Sequence, residues 1–386
     1  MSNSPLGPTA YSTVTRYLTT LFTSLGHDVR IFAYWGIDSG HPVSFATNNK
    51  VINVIPRWYD PWGKDIFLEH YKRFKADFLL PIFDIWVTPS LGEKCKVVGY
   101  VPTDHDPPAM FLMKALEKCW KLIPFTKWAE NSMKKAGLKQ VMKYIPHGVD
   151  LNIFHPMDKA KIREKWVKKE DKDAFIVGIV AGNYDKEGRK RWDKHFEAIK
   201  YFKEQNPDCK LKVFIHTDVN NYRYGFDLKA MLKFFELEKI TYMPDPYYFI
   251  TQLPYSKMGE IYNIFDINLL ISSREGFGMP YVEGQACGIP TIGTKFASAQ
   301  DLVHPDLQVK VAAKIMTPII SWTAIPDAWD AAQKIEILYK SPDKYEKYKK
   351  WSLNFAKQFD WNGELVKGRW ISHLDLIQDE LRKVKK

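Results

Sequence analysis

Cysteine is scarce in this sequence of 386 residues. The four cysteines, Cys95, Cys119, Cys209 and Cys287, are scattered, and none belongs to a CxxC pair or lies at a zinc-ligand spacing from a histidine. This pattern excludes a disulfide-stabilised secreted domain and a zinc-binding module, and it predicts a reducing compartment.

Long apolar runs are also absent from the sequence, since no stretch approaches the ~20 residues that a membrane-spanning helix needs. The N-terminal MSNSPLGPTAYST has no charged start followed by an apolar segment, which a secretory signal would have. No internal repeat or low-complexity segment is evident. We therefore predict a cytoplasmic globular protein, and 386 residues are enough for two domains with a core each.

Acidic residues are outnumbered, with 45 Asp and Glu against 56 Lys and Arg, which gives a net charge of +11. The excess predicts attraction to anions, which include nucleotide sugars, anionic lipids and nucleic acids. A peripheral contact with an anionic membrane is therefore a further expectation. Because the basic residues are spread along the chain, the alternative is an ordinary solvated surface.

Aromatic residues, by contrast, are abundant at 15% of the chain, with 13 Trp and 20 Tyr. We interpret most of them as packing residues of cores and interfaces. The alternative for some of them is a role as stacking surfaces for sugars or bases.

Short apolar runs of strand length alternate with helical patterns along most of the chain. Strands are predicted at 29–35, 51–55, 96–101, 120–124, 174–180, 210–216, 240–243, 267–271 and 289–293, and a strand with a turn at 76–87. Helices are predicted at 12–25, 66–75, 110–119, 128–136, 159–172, 192–202, 228–235, 256–264, 281–286, 327–339, 342–359 and from 360 onward. This alternation predicts an α/β fold with two doubly wound parallel sheets.

The most informative stretch is 272–294, SSREGFGMPYVEGQACGIPTIGT, which follows the strand predicted at 267–271. Residues 275–279 are predicted to form a strand-to-helix turn, and Pro280 suits the first position of the helix that follows. Glycines allow the backbone to approach a ligand, and the N–H groups at a helix start favour anions. The turn is therefore predicted to bind an anion, most simply a diphosphate.

Two carboxylates accompany this turn, Glu275 within it and Glu283 about one helical turn inside the helix. A carboxylate accepts two hydrogen bonds, which suits the vicinal hydroxyls of a ribose or a hexose. We therefore interpret the stretch as a nucleotide-sugar site. The alternative is that both are surface charges of a helix, with Glu275 favoured by the helix dipole.

A basic loop follows the strand predicted at 174–180. Gly182 allows a tight passage, and Arg189 and Lys190 lie near the start of the next helix, toward the same edge of the sheet as the Glu275 turn. Positive charge is useful there because negative charge grows on a diphosphate as the sugar departs. The alternative is a solvated basic loop.

Asp104 and His105 follow the strand predicted at 96–101, at the end where open α/β sheets place their ligands. A histidine flanked by carboxylates is suited to moving a proton or to binding a sugar hydroxyl. The alternative is that Asp104 caps the following helix and that His105 contacts the backbone.

The segment EGFGMPYVEGQACGIPTIGT resembles the donor-binding segment of the retaining GT-B glycosyltransferases of the family 4 type (glycosyl transferases group 1), in which a Glu-x7-Glu pair precedes Ala-Cys-Gly-x-Pro. YVPTDHDP and YIPHGVD resemble the same family less strongly. The resemblance implies an α/β GT-B fold, with two Rossmann-like doubly wound parallel-sheet domains facing a cleft. It implies an acceptor-side domain at 1–155, a donor domain at 156–359 and a C-terminal helix at 360–386 that crosses back to the first domain.

The resemblance also implies roles for single residues. It implies that Glu275 lies by the transferred sugar and that Glu283 holds the nucleotide ribose. Asn183 stands where the family often has an arginine, so the basic pair of the family is matched by Arg189 and Lys190, of which Lys190 is the better candidate. The further residues expected to bind the donor are Gly276, Phe277, Gly278, Met279, Gly182 and Asn183.

The first domain is expected to contribute a glycine loop and a polar pair. Gly7 matches the loop that follows the first strand of the family and contacts donor and acceptor. Almost nothing precedes this loop, so the first strand is expected to be missing. Asp104 or His105 matches the acceptor-side residue.

Together these expectations describe a retaining glycosyltransferase that moves a sugar from a UDP- or GDP-linked donor to a saccharide, lipid-linked, protein or nucleic-acid acceptor. In the mechanism that the resemblance implies, the leaving phosphate takes the acceptor proton, Arg189 and Lys190 stabilise that phosphate, and Glu275 orients the sugar. No cofactor and no metal is expected, because the Asp-x-Asp pairs at 104–106 and 171–173 lie outside the donor turn and basic groups with helix N–H groups can replace a metal. The alternatives are transfer to DNA or a lipid-linked acceptor, a nucleotide-sugar binding protein without turnover, and an epimerase on the same fold.

Overall fold

The computed structural model describes residues 1–37, 40–185, 187–221, 224–250 and 253–384. The chain divides into two compact units. Unit 1 comprises Met1–Gly148, Pro318–Ser321 and the residues from Trp361 onward, and unit 2 comprises Val149–Thr317 and Trp322–Asp360. The assignment of the first domain to the acceptor and of the second domain to the donor stays a prediction.

Unit 1 begins with a four-stranded sheet. Its strands are β1 (Ser2–Asn3), β2 (Ile31–Trp35), β3 (Val43–Thr47) and β4 (Lys50–Pro56). The spatial order is β1-β2-β4-β3, in which β1, β2 and β4 are parallel and β3 is antiparallel to β4. The expectation that the first strand is missing is wrong, because β1 pairs with β2. Two polar residues carry no apolar pattern from which a strand could be predicted.

Strands β3 and β4 form a hairpin of which the sequence predicted only the stretch 51–55. The turn residues Asn48 and Asn49 have φ angles of 47° and 57°. Two consecutive residues in this left-handed region form the tight turn that joins antiparallel strands, and asparagine tolerates the region better than most residues.

The remainder of unit 1 before residue 148 contains a small parallel sheet and several helices. These elements are α1 (Ala10–Ser24), α2 (Phe67–Arg73), α3 (Leu91–Lys94), β5 (Val98–Tyr100), α4 (Met110–Leu116), β6 (Lys121–Ile123) and α5 (Lys127–Lys135). The strand and turn predicted at 76–87 are only partly present, since Leu79 makes an isolated bridge with Val97 and Ile85–Val87 is a 3-10 turn. Pro81 interrupts the run, and Phe83 packs in the core of the unit.

The centre of unit 2 is a six-stranded parallel sheet. Its strands are β7 (Phe175–Val180), β8 (Leu211–His216), β9 (Thr241–Tyr242), β10 (Ile267–Leu270), β11 (Thr291–Thr294) and β12 (Gln308–Val309). The spatial order β9-β8-β7-β10-β11-β12 is the 3-2-1-4-5-6 order of a doubly wound Rossmann-like sheet. The parallel α/β fold predicted for this part of the chain is confirmed.

Buried apolar side chains explain why these strands form the middle of the sheet. The strands β7 and β10, FIVGIV and INLL, are buried almost throughout, as expected of parallel strands covered on both faces. Gly178 in β7 admits the ring of Phe265, since a Cβ atom at Gly178 would lie 2.1 Å from that ring.

Helices cover this sheet, and a hairpin follows it. The helices are α6 (Lys159–Trp166), α7 (Trp192–Gln205), α8 (Leu228–Phe234), α9 (Tyr247–Ile250), α10 (Met258–Ile264), α11 (Met279–Ala286), α12 (Ala299–Leu302), α13 (Ala328–Lys340) and α14 (Pro342–Ala356). The hairpin strands are β13 (Val311–Thr317) and β14 (Ser321–Pro326). Phe196, Ile199 and Phe202 are buried along one face of α7, which is the spacing that the sequence predicted.

The last described elements belong to unit 1. A π-helical turn, Glu364–Gly368, precedes the helix α15 (Arg369–Val384), so the helix predicted from 360 begins later. Arg369 donates to the Tyr144 carbonyl oxygen at 2.7 Å and attaches α15 to unit 1. Residues 385 and 386 of the predicted range lie outside the described residues. Across the described ranges, no helix combines the length and apolar character needed to cross a membrane.

Candidate functional site

The sheet of unit 2 changes its direction of winding between β7 and β10. Open α/β sheets bind ligands beyond the carboxyl ends of the strands at such a point. The loop after β7 and the loop after β10 are joined there by a hydrogen bond of 2.8 Å from the Ser273 N–H to the Arg189 carbonyl oxygen. The structure thus brings together the two loops that the sequence analysis assigned to the donor.

Glu275 lies at the centre of this junction. The residue is 7% exposed, and its carboxylate accepts hydrogen bonds from both predicted basic residues. Arg189 Nη1 lies 2.9 Å from Glu275 Oε2, and Lys190 Nζ donates to Oε1. Burial by itself would raise the pKa of Glu275, but the charges of Lys190 and Arg189 outweigh burial and hold that pKa at about 2. Glu275 is therefore an ionised acceptor at neutral pH.

The two basic residues differ in their surroundings. Lys190 is largely buried, and burial together with the neighbouring Arg189 lowers its pKa, against which Glu275 acts. Arg189 is partly exposed, and its Nη1 also donates to the Arg274 carbonyl oxygen at 3.2 Å. The Arg189 N–H donates to Asp185 Oδ1 at 3.0 Å. The site therefore holds two cations at fixed positions, both hydrogen-bonded to the Glu275 carboxylate.

Glu283 has a different environment. It is 6% exposed in α11, and its two oxygens accept hydrogen bonds from the Tyr255 hydroxyl at 3.1 Å and the Tyr262 hydroxyl at 2.7 Å. Burial raises the pKa of Glu283 to about 7, although the two hydroxyls act in the opposite direction. The pKa of Glu275 is thus lowered and that of Glu283 raised. The sequence analysis missed both tyrosines, because neither belongs to a motif.

His195 is a further residue that the sequence analysis missed. It is fully buried in α7, with Nδ1 at 2.9 Å from the Arg191 carbonyl oxygen and Nε2 accepting from the Ile271 N–H at 2.9 Å. Because Nε2 accepts, the proton lies on Nδ1, and burial lowers the pKa of His195 to about 4. A neutral imidazole therefore fastens the start of α7 to the end of β10. A lone histidine on a buried helix face carries no sequence signal.

The turn itself is shaped by Gly278, which precedes α11 with a φ angle of 89°. A Cβ atom at Gly278 would lie 2.6 Å from the Tyr281 ring, so this position requires glycine. The helix begins at Met279, and Pro280 occupies its second position, so the prediction of a helix from 281 with Pro280 first is corrected. The helix thus begins two residues earlier than predicted, directly after Gly278.

The remaining donor residues predicted in the turn are placed as follows. The Phe277 side chain is buried and packs edge-on against Phe359, with ring centroids 6.1 Å apart. Met279 is buried at the start of α11, and Gly276 is half-buried in the bend. Contact of these residues with a donor stays a prediction. Because the Phe277 ring is packed against Phe359, we expect Phe277 to contact a donor through its backbone.

In the loop after β7, Asn183 is buried and its side-chain amide binds the Phe226 backbone in both directions. Its Nδ2 donates to the Phe226 carbonyl oxygen at 2.8 Å, and its Oδ1 accepts from the Phe226 N–H at 2.9 Å. Gly182 precedes it, and a Cβ atom there would meet the Tyr184 ring at 2.8 Å. The Asn183 side chain thus holds a neighbouring loop, while donor binding by Gly182 and Asn183 stays a prediction.

The other predicted residues lie in unit 1. Gly7 is in the loop between β1 and α1, where a Cβ atom would lie 2.6 Å from Ser12 Oγ. His105 Nδ1 lies 2.7 Å from Asp104 Oδ1, and His105 Nε2 is buried without a hydrogen-bond partner among the described residues. The alternative in which Asp104 caps the next helix is wrong, since α4 begins after Ala109 without a side-chain cap.

No group of three or more His, Cys, Asp and Glu side chains among the described residues is arranged to hold a metal ion. In the Asp-x-Asp pair at 171–173, the Asp171 carboxylate already binds other side chains. It accepts a hydrogen bond from the Tyr242 hydroxyl, and its Oδ2 lies 3.0 Å from Lys212 Nζ. Function without a metal stays a prediction.

Comparison with known proteins gives similar sequences of known class. A D-inositol 3-phosphate glycosyltransferase of Segniliparus rotundus is 23% identical over 224 residues, which are 58% of this chain and 44% of that protein. The chain spans about half the length of the curated relatives it matches.

Solved structures are similar over nearly the whole chain. Sucrose-phosphate synthase from Thermosynechococcus elongatus matches with a TM-score of 0.75 at 15% identity, over 96% of this chain and 94% of that one. Anabaena HepE in complex with UDP and glucose matches with a TM-score of 0.67 at 14% identity, over 97% of each chain. These likenesses confirm the predicted GT-B fold of two Rossmann-like domains.

A family model completes the comparison, since the model for glycosyl transferases group 1 matches residues 158–354, about half of the chain. The match includes the loop after β7, the Glu275 turn and Glu283. The chain therefore belongs to the family of glycosyl transferases group 1.

Proposed function

We propose that the chain is a retaining glycosyltransferase of the family 4 type that transfers a sugar from a UDP- or GDP-linked donor to an acceptor molecule. The observation that carries the proposal is the hydrogen-bonded group of Glu275, Arg189 and Lys190 beyond the carboxyl ends of β7 and β10. Its chemistry fits the two parts of such a donor, since the cations suit a diphosphate and the carboxylate suits sugar hydroxyls.

The diphosphate would share the cations with Glu275. Phosphate oxygens are alternative acceptors for the same N–H groups of Arg189 and Lys190, and the amides at the start of α11 add further donors. When the phosphate takes these donors, the Glu275 oxygens become available for hydroxyls of the transferred sugar. The ion pairs thus hold all three side chains close to the positions in which the donor requires them.

The transfer step needs stabilisation of the departing phosphate. The acceptor oxygen forms a bond to the anomeric carbon as the bond from that carbon to the phosphate oxygen breaks, and the acceptor proton moves to the departing phosphate. Negative charge increases on that phosphate during the step, and Lys190 and Arg189 stabilise it. Because attack and departure take place on one face of the sugar, the configuration is retained.

Glu283 is assigned to the nucleotide ribose. Its buried carboxylate retains acceptor capacity beyond the two tyrosine hydroxyls, since each oxygen accepts more than one hydrogen bond. The structurally similar HepE was solved with UDP and glucose, which favours UDP as the first nucleotide to test.

The Asp104–His105 pair is assigned to the acceptor. Asp104 fixes the His105 ring through Nδ1, and this leaves the buried Nε2 for a hydroxyl of the acceptor. The acceptor class, a cytoplasmic location, peripheral membrane contact and independence of metals stay predictions from the sequence.

The test is release of nucleoside diphosphate from a panel of UDP- and GDP-sugars in the presence of pooled saccharide acceptors, with the anomeric configuration of the product read by NMR. Glu275→Gln should lower kcat by about 10²- to 10³-fold, as removal of one transition-state hydrogen-bonding group does in other enzymes. Glu346→Gln, which changes an exposed glutamate of the same unit, is the matched control.

Other outcomes would identify the alternatives. Tight binding without release indicates a binding protein, recovery of an isomerised donor indicates an epimerase, and an inverted product contradicts the retaining mechanism. Persistence of turnover in excess EDTA is expected from the metal-free assignment.

A further inference from the structure

The carboxyl edge of the unit 1 sheet carries a group of solvent-exposed aromatic rings. The strands β1, β2 and β4 are parallel, so their carboxyl ends lie at one edge, which is the edge where open α/β sheets bind ligands. Trp35 ends β2 and is 46% exposed, while Trp58 and Tyr59 follow β4 and are 58% and 83% exposed. Gly7 lies at the same edge, because a Cβ atom there would be 3.1 Å from the Trp35 ring.

These rings are displayed by a loop with a fixed backbone. Two carboxylates organise the segment 58–65, since Asp65 Oδ2 accepts from the N–H groups of Tyr59 and Asp60 at 2.9 and 3.0 Å. Asp60 Oδ1 accepts from the N–H groups of Trp62 and Lys64 at 2.8 and 3.1 Å. The loop is therefore ordered by its own hydrogen bonds, although its largest side chains face water.

The loop is also anchored on the core. Gly63, with a φ angle of 69°, packs on Phe32 so closely that a Cβ atom would lie 2.2 Å from that ring. Trp62 contacts Tyr34 with ring centroids 5.3 Å apart. Trp58 and Tyr59 lie edge to face, with centroids 5.1 Å apart. Two rings in a fixed relation, with large exposed faces at a ligand-binding edge, form a preorganised surface.

The charge of the loop restricts what this surface fits. Across 57–65 the two basic residues, Arg57 and Lys64, are balanced by the two acidic residues, Asp60 and Asp65. A surface that binds anionic lipid or nucleic acid would carry an excess of basic residues. A neutral loop with aromatic faces suits a neutral ring whose own faces are apolar C–H groups and whose rim is hydroxyl. A pyranose ring has this chemistry.

We propose that Trp58 and Tyr59 are a stacking surface for a pyranose ring of the acceptor, which makes the acceptor a neutral saccharide or glycan. The identification as an acceptor site rests on the proposed function, whereas binding of the saccharide itself does not. The ring faces contact the C–H groups of the sugar, and the polar groups of the loop remain beside its hydroxyls.

The test is binding of neutral hexasaccharides (malto-, cello-, manno- and chitohexaose) to the full chain, followed by tryptophan fluorescence and saturation-transfer NMR. The wild type should bind at least one of them. Trp58→Ala should weaken that binding about tenfold, which is the effect of losing roughly 60 Å² of buried apolar contact. Trp58→Phe should retain most of the affinity, and Phe234→Ala, which removes a ring that is 77% exposed in unit 2, should change nothing.

Two results would overturn the proposal. One is no binding of any hexasaccharide at about 10 mM, a limit below which specific recognition is expected to be measurable. The other is that the wild-type protein sediments with phosphatidylglycerol vesicles and Trp58→Ala abolishes this sedimentation without affecting saccharide binding. That result would identify the rings as a membrane contact.

The same variants separate this proposal from the proposed function. Trp58→Ala should leave the affinity for UDP or GDP unchanged, because the residues assigned to the diphosphate and to the ribose belong to unit 2. If saccharide binding depends on Trp58 while no sugar is ever transferred, the site is correct and the glycosyltransferase assignment fails. If transfer occurs and Trp58→Ala does not alter the acceptor KM, the stacking surface is refuted alone.

Discussion

Replacement of Glu283 by glutamine should stabilise the protein above neutral pH. The Glu283 carboxyl is buried, and its two oxygens accept from the hydroxyls of Tyr255 and Tyr262 rather than from cations. Glutamine has the same shape and keeps an acceptor for Tyr262, while its NH₂ group can donate to the Tyr255 oxygen. The substitution therefore removes the cost of a buried charge and leaves the packing intact.

The magnitude follows from the pKa of Glu283, which burial raises from 4.5 to about 7. At about 1.4 kcal/mol per pH unit, this difference corresponds to about 3 kcal/mol of unfolding free energy. For the sign, an acid whose pKa is raised by folding favours the folded state fully below pH 4.5, and this contribution is lost as the pH rises toward 7. The wild type thus loses stability over this window and Glu283→Gln does not.

The assay is urea unfolding of wild type and Glu283→Gln at pH 5 and pH 8, followed by tryptophan fluorescence, with Glu346→Gln as the control for a generic charge change. The advantage of Glu283→Gln over wild type should grow by about 2 to 3 kcal/mol between the two pH values. Parallel pH profiles for wild type and Glu283→Gln would refute the reasoning, because they would mean that Glu283 ionises in the folded protein as it does in water.

Three further predictions concern the Glu275 turn and its basic partners. Lys190→Ala should lower kcat by about 10²-fold or more with a smaller change in donor KM, because the Lys190 charge acts mainly on the departing phosphate. Steady-state kinetics tests this prediction, and an effect on KM alone would contradict it. Gly278→Ala should destabilise the protein by about 1 to 3 kcal/mol in urea unfolding, since alanine at a φ of 89° is strained and its Cβ meets the Tyr281 ring; a neutral effect would contradict the turn geometry. Folding lowers the pKa of Glu275 from 4.5 to about 2, so ionised Glu275 stabilises the folded state by about 3 kcal/mol above pH 4.5. This contribution is lost as the pH falls toward 2. The urea midpoints of wild type and Glu275→Gln should therefore converge between pH 5 and pH 3.

The sequence predicted the strand, turn and helix around Glu275 because the signals for them are local. The apolar run of β10, the glycines of the turn and the caps of α11 follow one another within the stretch 267–288, so each element could be assigned from its neighbours. The sequence also predicted that Arg189 and Lys190 lie toward the same edge of the sheet as the Glu275 turn, because the carboxyl ends of adjacent parallel strands meet there. It did not predict their hydrogen bonds to Glu275, which span 85 residues or more.

The remaining features depend on contacts that no local pattern encodes. The tyrosines that bind Glu283 come from the segment before β10, and His195 acts through Ile271, a residue 76 positions away. Strand β1 was missed for a related reason, since Ser2 and Asn3 form a strand only because β2 offers them a partner. Polar partners of this kind are fixed by tertiary structure and not by periodicity.

The most direct test of the central assignment is hydrogen–deuterium exchange of the full chain with and without saturating UDP or GDP. If the diphosphate binds the Glu275 turn and the start of α11, peptides covering 272–286 and the Arg189–Lys190 loop should be protected by at least one of the two nucleotides, and Lys190→Ala should weaken this protection. Protection confined to other segments, or none in these peptides with either nucleotide bound, would contradict the account.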